Sequence, residues 1–208
     1  MNIEDKSVIV FAGDSTTDAG KQGTPDGLGE GYVKLVHDAL VAFRPSAEYR
    51  IVNAGVSGNK SRDLLARWDA DVLEYKPDVV FCMIGINDVW RHFDGAEFSD
   101  NLSNEKEYEE NLIRICEKSR SVEQFVFMYP FFMERNQSDE MREMTDAYRK
   151  VMKKVADRYG RPVLDTQEVF DEYMKDRAGQ SISWDRVHPN RIGSMLLARF
   201  ILKEVECW

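Results

Sequence analysis

Five short runs of almost uninterrupted apolar residues, at 8–12, 49–53, 79–84, 125–129 and 162–165, recur along the chain with amphipathic stretches between them. A strand that is apolar on both faces must be covered on both faces, which is the situation of a strand inside a parallel sheet layered with helices. The intervening stretches supply those helices. Residues 61–75 carry Leu64, Leu65, Trp68, Val72 and Leu73 on one stripe, and 141–159 repeat the pattern with Met144, Tyr148, Val151, Met152 and Val155. Asn190 is placed to cap a last helix whose Ile192, Met195 and Leu196 are expected to face inward. Pro77 stands where the 61–75 helix must stop. The alternation predicts an α/β sandwich with a five-stranded, mainly parallel sheet.

No repeat, low-complexity tract or linker interrupts the pattern, so the 208 residues are read as a single domain, 1–208. That length buries a core without disulfides or metal. A net charge of −9 argues against nucleic acid and against an anionic membrane surface, and leaves neutral substrates open. The first apolar run is too short for a signal-peptide core and follows no basic segment, and nothing approaches the roughly 20 apolar residues of a membrane span. A cytoplasmic protein is expected. Cys82, Cys116 and Cys207 are odd in number and widely spaced, which suits free thiols rather than a disulfide framework or a zinc site. The glycines between Gly23 and Gly31 lack the spacing of a dinucleotide fingerprint and read as a loop near the site or at a subunit contact. No cofactor and no metal are expected.

In open parallel sheets, ligands gather beyond the carboxyl ends of the strands. Gly13-Asp14-Ser15 follows the first expected strand, Gly55 to Asn59 the second, and Gly85-Ile86-Asn87-Asp88 the third. A serine in such a turn is commonly only a cap, and as a nucleophile it needs an adjacent base held by a carboxylate. Of the three histidines, His37 lies within an amphipathic helix and His92 has no evident orienting carboxylate. His188 follows Asp185 by three residues in the loop before the last helix, a spacing that lets one turn bring carboxylate to ring. Ser15, Asp185 and His188 are therefore the candidate triad. Gly58 offers a backbone N–H, Asn87 a side-chain amide and Ser15 its own N–H to a developing oxyanion. Trp90, Arg91, Phe131, Phe132 and Trp184 fall in or near the same loops; their rings suit the apolar face of a sugar as well as they suit a core.

Those segments, together with Asn53-Ala54-Gly55-Val56-Ser57-Gly58-Asn59 and Asp185-Arg186-Val187-His188-Pro189, resemble in order the four blocks of the SGNH (GDSL-type) hydrolases, across residues 13–189. Two features depart from common patterns. Thr16 stands where many members have leucine or isoleucine, and no glycine follows two residues after Ser15, so this is not the α/β-hydrolase elbow. The resemblance implies a three-layer, flavodoxin-like α/β/α sandwich, with Ser15, Gly58, Asn87 and His188 as the namesake residues and Asp185 as triad acid. Gly29-Glu30-Gly31-Tyr32, the 59–68 stretch, 84–91, Asp139-Glu140-Met141-Arg142 and 184–189 are similar to intracellular acetyl xylan esterases of that family. That likeness implies an acetylated xylo-oligosaccharide substrate, contacts from Trp90, Arg91 and Trp184, and a homo-oligomer. Three alternatives stay open on the residues alone: a lysophospholipase or thioesterase, a non-catalytic sugar-binding module, and a metal-dependent phosphoesterase using Asp14, Asp18, Asp88, Asp185 and His188.

Overall fold

The computed structural model describes residues 1 and 3–206; Cys207 lies outside the described residues. Strand β1 (Val8–Gly13) leads through the four-residue helix α1 (Ser15–Asp18) to α2 (Tyr32–Phe43) and then to β2 (Arg50–Gly55). Helices α3 (Ser61–Ala66) and α4 (Trp68–Asp71) precede β3 (Val79–Met83), and α5 (Ile86–Trp90) and α6 (Glu105–Lys118) precede β4 (Gln124–Met128). The chain finishes with α7 (Glu140–Arg158), β5 (Val163–Leu164), α8 (Thr166–Asp176) and α9 (Arg191–Glu204). The five strands pair in the order β2-β1-β3-β4-β5, every neighbour parallel. All five fall where the apolar runs place them.

Alternation along each strand divides the core in two. Ile9 and Phe11 of β1, with Phe81 and Met83 of β3, meet Tyr32, Val36 and Leu40 of α2, Phe170 of α8, and Leu197 and Ile201 of α9. Val10 and Ala12, with Val80 and Cys82, face Leu64, Trp68, Val89, Tyr108, Leu112, Tyr148 and Met152 on the other side. Helices thus cover both faces, giving the three-layer sandwich. Phe11 and Phe81, in register on neighbouring strands, stack with centroids 5.0 Å apart. Burying each such side chain contributes about 1.5–3 kcal/mol.

Two expectations need correction. The 61–75 segment is not one helix: it breaks at Arg67 into α3, α4 and a 3₁₀ turn at Leu73–Tyr75. Buried Trp68 is fixed by Nε1 donating to Ser119 Oγ (3.0 Å), while Arg67 reaches the opposite way to the strand ends. One regular helix cannot direct both. In α9, Asn190 is the cap, accepting from the N–H groups of Ile192 and Gly193. Ile192 and Met195, however, are 51% and 47% exposed. The inward stripe is Gly193, Leu197, Ala198, Ile201 and Leu202, because Gly193 approaches Pro189 and the Ile182 carbonyl too closely to admit a side chain.

Candidate active site

The carboxyl ends of β1, β2 and β3 converge, and close backbone approach shapes the junction. A Cβ on Gly55 would lie 2.2 Å from the Asp18 nitrogen, so only glycine lets α1 lie against the end of β2. Two cations gather the backbone carbonyls here. Arg67 donates to Gly13 O (2.9 Å), Ala54 O (2.8 Å) and Asn59 Oδ1 (2.7 Å), and Lys21 Nζ donates to the carbonyls of Asn53 (3.0 Å) and Gly55.

Ser15 opens α1. The buried Asp14 caps that helix, accepting from the Thr16 N–H at 3.0 Å, which sets Ser15 in the first turn with its hydroxyl outward. Ser15 Oγ lies 2.9 Å from His188 Nε2, and His188 Nδ1 lies 2.6 Å from Asp185 Oδ2. The spacing of three residues therefore does bring carboxylate to ring. Arg186, between them, holds φ at 67°, the left-handed region that non-glycine residues seldom adopt. That bend lets Asp185 Oδ1 accept the N–H groups of Val187 (2.9 Å) and His188 (2.8 Å), with the Ser183 hydroxyl at 3.1 Å. Partial burial alone pushes the Asp185 carboxyl up, but the His188 side chain and these N–H groups outweigh it and hold the group below the ordinary carboxylate range.

Asp14 and Asp88 behave oppositely. Burial dominates at Asp14 and raises it to about 7, against the Thr16 N–H and the nearby His188. Burial also lifts Asp88 to about 6, although it accepts from the Ser61 N–H and hydroxyl. Asp18 is occupied by the N–H and hydroxyl of Ser57. Among the described residues, no group of three or more His, Cys, Asp or Glu side chains is placed to hold a metal ion. Of the carboxylates in the phosphoesterase alternative, Asp14 serves as a helix cap, Asp18 and Asp88 anchor loops, and Asp185 holds the His188 ring.

The remaining polar residues line up along the same edge. Gly58 adopts φ of 82° in the loop after β2, and its N–H has no acceptor among the described residues. Asn87, in the first turn of α5, donates through Nδ2 to the Asn59 carbonyl (3.0 Å) and accepts at Oδ1 from Arg91 Nη2 (3.3 Å). Trp90 meets the His188 ring edge-on at 5.5 Å. Two clefts flank Ser15, His188 and Asp185. One of about 320 Å³ is lined by Ser15, Thr16, Ala19, Glu30, Gly31 and His188, which places the Gly23–Gly31 loop beside the site. The other, about 340 Å³, lies between Trp90, Phe93, Phe132, Met141, Asp185 and Arg186. Trp184 lines neither cleft and is 85% exposed, whereas Phe131 and Phe132 are core residues. His92 bonds the Ser103 carbonyl, and His37 pairs with Asp38.

Sequence reasoning did not single out Ser183, Arg67 or Asp94. Asp94 pairs with Arg91. Arg67 falls within a stretch that carried the family resemblance; nothing local marks Ser183.

A serine–histidine–aspartate hydrogen-bonded chain of this kind, set at the carboxyl edge of a five-stranded parallel sheet, is the architecture of a serine acyl hydrolase. The family model for GDSL-like lipases and acylhydrolases matches residues 11–196, and the chain belongs to that family. Among curated relatives, the acetylxylan esterase of Geobacillus stearothermophilus is 41% identical over 99% of this chain and 96% of its own length. An uncharacterized protein of Bacillus subtilis, YpmR, is 25% identical over 96% of this chain and 81% of its own. Among solved structures, the acetylxylan esterase Axe2 from G. stearothermophilus superposes with a TM-score of 0.92 at 40% identity, covering 99% of this chain and 96% of that one. LAE5, an alpha/beta hydrolase from the metagenome of Lake Arreo, Spain, gives 0.93 at 40% identity, with coverage of 99% and 97%.

Proposed function

We propose that the protein is a serine esterase that removes acetyl groups from acetylated xylo-oligosaccharides through an acetyl-enzyme. The hydrogen-bonded chain from Ser15 through His188 to Asp185 carries the chemistry. The substrate follows from the acetylxylan esterase relative, which matches across nearly the whole of both chains. His188 Nε2 takes the Ser15 proton as Oγ attacks the acetyl carbonyl, and Asp185 stabilises the imidazolium. The N–H groups of Ser15 and Gly58 and the Asn87 amide receive the oxyanion. Collapse breaks the ester bond, and His188 returns its proton to the departing sugar oxygen. A water then loses its proton to His188 and attacks the acetyl carbonyl, releasing acetate and restoring Ser15.

The surroundings of the triad support a short acyl group and a sugar. Thr16, Ala19 and Gly31 are small residues lining the cleft beside Ser15, with Glu30, Asn190 and Arg191 polar around them. Trp90 lines the other cleft and takes the sugar there, whereas Arg91 and Trp184 line neither cleft and are assigned to the sugar only on the likeness to the acetylxylan esterase. Exposed Trp184, Ile192 and Met195 give the protein a surface for self-association as a homo-oligomer. The two buried free thiols, Cys82 and Cys116, suit a reducing cytoplasmic setting. No helix among the described residues is long and apolar enough to cross a membrane.

Acetate release from acetylated xylo-oligosaccharides, measured beside acetyl, butyryl and octanoyl p-nitrophenyl esters, tests this reading. We expect fast release from the sugar, a steep fall with acyl length, and a loss of at least ~10³-fold in kcat for Ser15→Ala. Activity that rises with acyl length would move the protein to the lipid-ester branch of its family. A Ser15→Ala enzyme retaining a tenth of its turnover would remove Ser15 from the mechanism.

A further inference from the structure

An asparagine can serve an oxyanion hole only with its NH2 toward the developing charge; turned by 180° about its amide, it presents an oxygen and repels it. Two contacts fix the choice at Asn87. The Asn59 carbonyl requires a donor on one side, and the Arg91 guanidinium requires an acceptor on the other. The Asn59 bond uses one N–H of Asn87, leaving the second free for substrate.

Arg91 is itself held in place. Its Nη1 pairs with Asp94, the guanidinium lies over the Trp90 ring at 5.2 Å, and the side chain is only 18% exposed. Its Nη2, the atom that bonds Asn87, also lies 4.0 Å from where a Cβ on Gly58 would stand. One cation therefore abuts both expected oxyanion donors outside α1. Asp94 draws the other end of the guanidinium away, so the fork points a single N–H at Asn87.

Building on the esterase reading, we propose that Arg91 is a positioning residue of the oxyanion hole, holding the Asn87 amide in its donating orientation. This role is distinct from a contact with the sugar. It acts on any ester, including one with no carbohydrate.

A double-mutant cycle on p-nitrophenyl acetate tests the proposal, with Arg91→Ala, Asn87→Ala, the double variant and wild type, each checked by thermal melt. A charge-assisted bond of this kind predicts that Arg91→Ala lowers kcat about 10- to 100-fold. KM should change little. In the Asn87→Ala background the same substitution should cost less than about twofold, because the group it positions is gone. Arg91→Lys should recover little, since one ammonium cannot span Asn87 and Asp94. Equal losses in both backgrounds, or a change confined to KM, would overturn the role. If Arg91→Ala does not fold, Asp94→Asn frees the guanidinium without removing it. A few-fold fall in kcat that vanishes beside Asn87→Ala is then expected, and an additive effect refutes the idea. Ser15→Ala, assayed in parallel, separates the two claims: persistent turnover there defeats the esterase reading, whereas additivity at Arg91 defeats only the positioning role.

Discussion

The turn that carries Asp185 and the strand end that carries Asp14 hold the same functional group in opposite surroundings. Asp185 is partly open to solvent and accepts from the Ser183 hydroxyl, two backbone N–H groups and the His188 ring, and its carboxyl is held low. Asp14 is buried, accepts from the Thr16 N–H, and is raised to about 7. Both lie close to His188, yet only Asp185 is supplied with enough donors to stay ionised across the neutral range. Full burial at Asp14 and ample donor supply at partly buried Asp185, rather than nearness to the histidine, set the two carboxyls apart.

The contrast breaks most sharply at Asp185. Asp185→Asn keeps the shape but loses the charge and favours the wrong histidine tautomer, and kcat should fall about 10³- to 10⁴-fold. If steady-state turnover dropped less than tenfold, Asp185 would be no more than a turn residue. Next in size is Asn87→Ala, for which removal of one oxyanion donor predicts a loss of about 10²-fold or more in kcat. Near wild-type turnover in a folded variant would shift the oxyanion to the two backbone N–H groups alone.

Asp14 sharpens the comparison through stability. Its pKa in the folded state stands above its unfolded value, so the fold binds more protons than the unfolded chain between about pH 4 and 7. The stability that protonation contributes is full on the acid side of that window and lost as pH rises through about 7. Asp14→Asn should therefore raise stability at pH 8 by on the order of 2 kcal/mol, with little gain at pH 4.5. Thermal melts at both pH values decide it, and an equal gain at each would remove ionisation as the cause. Asp185 has the opposite sign: its contribution is present above the ordinary carboxylate range and lost as pH falls through its depressed value. The smallest effect is expected at Asn190→Ala, which strips the cap of α9 just beyond His188 and should cost about 1 kcal/mol in a urea titration.

The sheet was legible because its strands are buried on both faces, and an apolar run is the direct imprint of that condition. The hydrogen-bonded arrangement of Ser15, His188 and Asp185 was legible for a different reason: few histidines compete, and Asp185 and His188 interact across a single turn. Where the reading went astray, distant contacts had decided. Nothing within 61–75 announces that Arg67 will reach the ends of β1 and β2, or that Trp68 will be tied to Ser119. The periodicity of α9 allowed Ile192 and Met195 to point inward, and close approach of Gly193 to Pro189 turned the helix otherwise. Ser183 and Asp94 are ordinary polar residues in sequence; only tertiary placement gives them partners.

Lys21 has a significance apart from the site. Strand β2 forms one margin of the sheet, and the Asn53 and Gly55 carbonyls, on alternate residues, turn away from β1. An open row of such groups invites a strand from another molecule to add on. By seating its ammonium on both carbonyls, Lys21 occupies the positions an incoming strand would need. The lysine that helps shape the junction at the end of β2 thus also occupies two edge carbonyls that strand addition would require.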